Sequence, residues 1–125
     1  MLKDATAEAT LPAQDLDRAR AFYVDRLGLT PTSEGPVGIR FQMPDGTRFR
    51  LFRSAGSASG SHTQLAFMVD DIRRVVTDLS ARGLRFEHYD SPRLKTVDAI
   101  ADLGYARAAW FKDSEGNLLG IGQLL

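Results

Sequence analysis

Arg40, Arg48 and Arg50 stand on two neighbouring stretches in which residue character alternates. A guanidinium is always charged and presents a planar fork of donors suited to carboxylate and carbonyl oxygens. Glu8 is the acid most readily set against them, because Thr6, Glu8 and Thr10 alternate with Ala7, Ala9 and Leu11. It can serve as a general base or as the ion-pair partner of an arginine. There are two histidines and no cysteine, so thiolate chemistry and disulfides are excluded. His62, two residues before Gln64, can be read as a displaced metal ligand or a base, but its place at the end of a connector suits a solvated histidine better. His88 has no carboxylate or hydroxyl partner at a recognisable spacing and is given no role. Trp110, Phe52 and Met68 offer flat or adaptable apolar walls for a pocket, although core packing is the plainer reading of any one aromatic.

Two helices and several strands must position these groups. Leu16, Ala19, Phe22, Tyr23 and Leu27 recur with helical period, with Asp15 as N-cap and Gly28 as the stop. Ile72, Val75, Val76 and Leu79 form a second stripe, capped by Asp71 or Asp70 and ended by Gly83. Between them the period falls to two. Ile39, Phe41 and Met43, then Phe49 and Leu51, flank the turn Pro44-Asp45-Gly46 and predict a hairpin. Thr63, Leu65, Phe67 and Val69 alternate with His62, Gln64, Ala66 and Met68. A short strand is expected over Leu84–Tyr89, and a second hairpin pairs Ala106–Lys112 with Leu118–Gln123 across Asp113–Asn117.

These signals repeat. The first helix matches the second at an offset of 56, and the Gly46 turn matches the Gly116 turn at an offset of 70. Two landmarks in the same order imply two equivalent units, each a strand, a helix and three strands. The growing offset locates an insertion of about fourteen residues near Asp90–Gly104. One domain spans 1–125, with unit one at 1–54, a small polar connector at 55–61 and unit two at 62–125. The inserted stretch 91–104 reads as a lid over a site or as an extra helical turn at a dimer edge.

The bulk numbers narrow the function. Apolar content of 43% with 26% charged residues fits a folded domain. Sixteen basic residues balance sixteen acidic ones, so nothing electrostatic calls for nucleic acid or an anionic membrane. No apolar run is long enough to span a bilayer, and no apolar stretch follows Met1-Leu2-Lys3-Asp4. A cytoplasmic, soluble protein is the expectation.

The run Leu11–Tyr23 ending Leu27-Gly28-Leu29, the run Leu65–Ile72 and the run Trp110–Leu119 together resemble the vicinal oxygen chelate superfamily, which contains glyoxalase I, bleomycin-resistance proteins and extradiol dioxygenases. The resemblance implies an α+β fold: tandem βαβββ units forming a curved eight-stranded mixed sheet around a cup, with helices outside and commonly a homodimer. Metal-dependent members place four ligands in the cup, and the matching positions here are Glu8, Arg50, Gln64 and Gly120. Arginine has no lone pair to donate and glycine has no side chain, so no metal and no cofactor are expected. Glu8 is expected to pair with Arg50, an ion pair that is either purely structural or the polar centre of a binding site, and Arg40 shares their face.

The leading expectation is a metal-independent protein that binds or sequesters a small organic ligand, anionic or carbonyl-bearing. Its contacts would be Glu8, Arg40, Arg50, Phe52, His62, Gln64, Met68, Trp110 and Gly120. The alternatives are a glyoxalase-like lyase, isomerase or dioxygenase on a small organic substrate, and a subunit whose only task is assembly.

Overall fold

The Asp15 carboxylate accepts a hydrogen bond from the Arg18 amide at 3.0 Å and starts α1, Leu16–Ala21. Such a cap contributes about 1 kcal/mol. The helix continues as a π turn over Phe22–Arg26, closed by the Leu27 amide on the Phe22 carbonyl, and Gly28 leaves it at φ 73°. In a computed structural model, which describes residues 1–36 and 38–125, the chain forms two units, Met1–Ser57 and Ala58–Leu125. Each has a helix and a four-stranded mixed sheet, so the eight strands are hydrogen-bonded as two sheets of four.

Unit one contains β1 (Ala9–Ala13), β2 (Pro31–Gly35), β3 (Gly38–Gln42) and β4 (Arg48–Arg53), in the order β1-β4-β3-β2. β1 runs parallel to β4, and the other pairs are antiparallel. The period-two pattern buries Leu11, Ile39, Phe41, Phe49 and Leu51 on one face, where Leu16, Ala19 and Tyr23 are also buried. Phe41 stacks on Phe49 at 5.1 Å and on Tyr23 at 5.6 Å. Each such pair adds about 0.5–1.5 kcal/mol beyond the area it buries.

Unit two repeats the plan with β5 (Thr63–Met68), α2 (Ile72–Ala81), β6 (Ala101–Asp102), β7 (Ala106–Lys112) and β8 (Leu118–Leu124), in the order β5-β8-β7-β6. Asp71 caps α2 through the Arg74 amide, and the Gln123 side-chain oxygen takes the Ile72 amide at 2.9 Å. Ile72 and Val76 are buried, and Gly83 ends the helix region at φ 88°.

The edge strand departs from expectation. Leu84–Tyr89 is not a strand: it touches β7 through a single bridge, Phe86 with Phe111. β6 meets β7 further along, Ala101 opposite Ala108. The inserted residues therefore interrupt one edge strand and leave a piece on either side. The excursion forms no helical turn. It is a short hairpin in which Tyr89 and Thr96 exchange hydrogen bonds, followed by a tight turn between Val97 and Ile100 with Asp98 and Ala99 at positive φ. Among the described residues no helix is long and apolar enough to cross a membrane.

Candidate functional site

In unit one, Thr10 lies opposite Arg50, and Arg50 lies opposite Arg40, so one row crosses β1, β4 and β3. Glu8 stands just ahead of β1 and reaches both arginines. Its Oε2 is 2.8 Å from Arg40 Nε, and its Oε1 is 3.7 Å from Arg50 Nε. Arg40 Nη2 donates to Glu8 Oε1 at 3.5 Å. The sequence reading paired Glu8 with Arg50; the tighter partner is Arg40. Two like charges directly opposite on adjacent strands repel, and one carboxylate between them offsets that repulsion while leaving a net positive charge. Glu8 is mostly covered, with 19% of its side chain exposed, whereas Arg50 keeps 43%.

Gly38 makes room for this arrangement. A Cβ there would lie 3.3 Å from Arg50 Cδ and 2.8 Å from the Leu51 carbonyl oxygen, so any side chain would force the strand or the arginine aside. Phe52 sits opposite Gly38 and Pro12, half-buried, with strand parity that matches Arg50. Arg48 pairs with Gln42 at the hairpin end of the sheet.

In unit two the equivalent row is neutral. Trp110 lies opposite Gly120, and Gly120 beside Ala66. A Cβ on Gly120 would meet Thr63 Cγ2 at 3.4 Å and the pyrrole edge of Trp110 at 3.6 Å, so both side chains border the space above the glycine. Thr63 Oγ1 accepts the indole N–H of Trp110 at 3.1 Å. Thr63 is a residue that the period-two reading placed on the opposite face. The register slips between Thr63 and Leu65, a bulge at Gln64, which brings Thr63 to the Gly120 side. Nothing in the alternation of residue types signals that bulge. Gln64 Oε1 is buried with no hydrogen-bond partner.

The remaining expected contacts are placed as follows. Met68 is exposed, its thioether sulfur 3.1 Å from where a Gly122 Cβ would stand. His62 is not brought to the row: it is exposed, with Nδ1 3.1 Å from Ser59 Oγ. The Tyr89 ring, which the sequence did not single out, meets Trp110 edge to face at 5.5 Å and 85°. Burial raises the Tyr89 phenol above its ordinary value, and the Glu87 charge adds to the rise.

A metal does not fit these residues. Unit one offers a carboxylate already engaged by two guanidiniums, and unit two offers one amide oxygen and a glycine. Among the described residues no group of three or more His, Cys, Asp and Glu is gathered to hold an ion.

The family model described as the glyoxalase/bleomycin resistance protein/dioxygenase superfamily matches residues 6–121. Nothing among curated proteins matches. Similar solved structures include a glyoxalase/bleomycin resistance protein/dioxygenase from Nocardioides (24% identity, 98% of this chain and 85% of that one, TM-score 0.71). A lactoylglutathione lyase from Agrobacterium tumefaciens is 24% identical over 96% of this chain and 93% of that one, TM-score 0.68. A glyoxalase/bleomycin resistance protein/dioxygenase from Alicyclobacillus acidocaldarius is 20% identical over 98% and 92%, TM-score 0.68. These likenesses speak to the fold, and they agree with the tandem α+β units and with a family match that runs through nearly the whole chain. The chain belongs to the glyoxalase/bleomycin resistance protein/dioxygenase superfamily.

Proposed function

We propose that the chain binds a small organic molecule bearing a carboxylate or carbonyl group, without a metal, and holds it rather than transforming it. The observation that carries this reading is the Glu8–Arg40–Arg50 row. Its carboxylate is spent on two guanidiniums, and Arg50, held at 3.7 Å and 43% exposed, retains donors for a further anion. In unit two, the buried Gln64 Oε1 lacks a donor; an orphaned buried acceptor is costly, and a ligand N–H or O–H would satisfy it. A cytoplasmic homodimer belongs to the same proposal. The support for the dimer is the exposed apolar residues Met68, Tyr105, Leu124 and Leu125 on unit two, and sedimentation measures the mass directly.

Calorimetric titration with zinc, nickel and manganese salts should show no tight one-equivalent binding. Pyruvate and benzoate should bind, and Arg50→Gln should weaken them by about tenfold or more, the worth of a charged hydrogen bond. One equivalent of tightly bound metal, or carboxylate binding indifferent to Arg50, overturns the proposal.

A further inference from the structure

We infer that Tyr89 is a specificity-determining residue: with Trp110 it forms a preformed corner on unit two that takes a flat, uncharged aromatic ring. The inference rests on the small-molecule reading above and narrows the ligand class.

Tyr89 closes the stretch read as the edge strand, at the point where the inserted residues begin, two residues after the Glu87 amide bonds the Trp110 carbonyl at 2.8 Å. Its own backbone is then fixed twice, by the Thr96 amide on its carbonyl at 2.9 Å and by its amide on Thr96 Oγ1 at 3.0 Å. The neighbouring bridge of Asp90 with Lys95 completes a hairpin stem. The phenol is thus held from a short, hydrogen-bonded stalk rather than from a loose loop.

The indole is fixed as well. Thr63 takes its N–H, and its pyrrole edge borders the space above Gly120. Two rings 5.5 Å apart at 85° present one wall face-on and one edge-on. A third flat ring can stack on the face of one wall and turn its own edge to the face of the other, and both arrangements are favoured by the ring quadrupoles. Because neither wall has to be ordered on binding, little conformational entropy opposes it. Perpendicular aromatic rings also attract cations. Here Glu87, the acid whose charge acts on Tyr89, has Lys112 Nζ at 3.8 Å, and that partner offsets the negative charge that would favour an ammonium group. The phenol oxygen has no hydrogen-bond partner among the described residues, which leaves it free to meet a ring substituent.

Trp110 is the only tryptophan, so its indole N–H gives one cross-peak in a nitrogen–proton correlation spectrum. Benzamide, cyclohexanecarboxamide and tetramethylammonium are titrated separately while that peak is followed. Benzamide should move it saturably and bind about three- to tenfold more tightly than its saturated analogue, the range expected for one aromatic contact. In Tyr89→Leu that preference should fall to about one, and in Tyr89→Phe it should persist, with a dispersed spectrum showing that both variants are folded. Equal affinity for the two amides, tighter binding of tetramethylammonium, or a preference unchanged in Tyr89→Leu would each overturn the role of Tyr89. The response of pyruvate to Arg50→Gln is measured apart, so failure of the wider binding reading appears in that assay alone.

Discussion

Arg40 faces Arg50 across β3 and β4; at the matching place in unit two, Trp110 faces Gly120 across β7 and β8. The core-facing neighbours differ far less. Phe41, Phe49 and Leu51 answer to Phe111, Leu119 and Ile121, and all six are buried. Packing against a helix admits only apolar side chains of suitable volume, so the buried face of each sheet is held to one pattern. The opposite face carries no such demand, and there the units diverge, one toward paired charges and the other toward a neutral aromatic surface. Ligand chemistry is therefore read from the difference between the units, not from what they share.

Exchanging the divergent residues tests this most sharply. Gly120→Arg would place a guanidinium where the Thr63 methyl and the Trp110 indole already border the space, with no acid counterpart to Glu8 in that row. Overpacking costs about 1–3 kcal/mol, and an unpaired charge raises the total to about 2–4 kcal/mol. Denaturant unfolding monitored by circular dichroism measures it. The reciprocal change, Arg50→Gly, should cost only about 1 kcal/mol, because it removes the longer and more exposed of the two ion pairs. Equal losses for the two substitutions would show that the faces are interchangeable.

Both helices, their Asp15 and Asp71 caps and the two hairpins were legible because each depends on local spacing. The charged row was legible too, since strand parity alone brings Arg40 and Arg50 to one face. What escaped depends on register and on insertion. A bulge at Gln64 moves Thr63 to the other face without altering the alternation of residue types. Likewise, a strand broken by an inserted hairpin keeps only the Phe86 bridge to β7 where Leu84–Tyr89 read as continuous. The preference of Glu8 for Arg40 over Arg50 is a matter of side-chain reach, which spacing does not encode.

Glu8→Gln sharpens the comparison from the charged side. It removes the screen between two facing guanidiniums and should destabilise the protein by about 1–2 kcal/mol at low ionic strength, with the loss shrinking in 1 M salt. The same variant should bind benzoate more tightly, because the internal competitor for Arg50 is gone. Weaker benzoate binding would instead make Glu8 part of the ligand's own surroundings. On the neutral side, Thr63→Val removes the acceptor of the Trp110 N–H and should cost about 1 kcal/mol, with the indole fluorescence altered and no dependence on salt.

The smallest expected effect separates the two hairpin turns. Both use a glycine at positive φ, Gly46 and Gly116, but different acids brace them. In unit two, Asp113 at the turn's start takes the Glu115 and Asn117 amides and the Asn117 side chain, all in a buried setting. In unit one, Asp45 inside the turn takes the Thr47 hydroxyl at 2.7 Å and the Thr47 amide at 3.0 Å, in the open. The Thr47 hydroxyl, and after it the Thr47 amide, hold the Asp45 carboxyl below its ordinary value. A carboxyl lowered by folding stabilises the native state above its unfolded value of about 3.9, and that contribution is lost as pH falls through the lower, folded value. Asp45→Asn should therefore flatten the fall in stability below about pH 4 slightly, and leave the curve near neutrality shifted only by a constant. Melting temperatures of the two proteins between pH 2 and 7 decide it, and parallel curves throughout that range would mean that the Thr47 contacts do not outlast solvent competition.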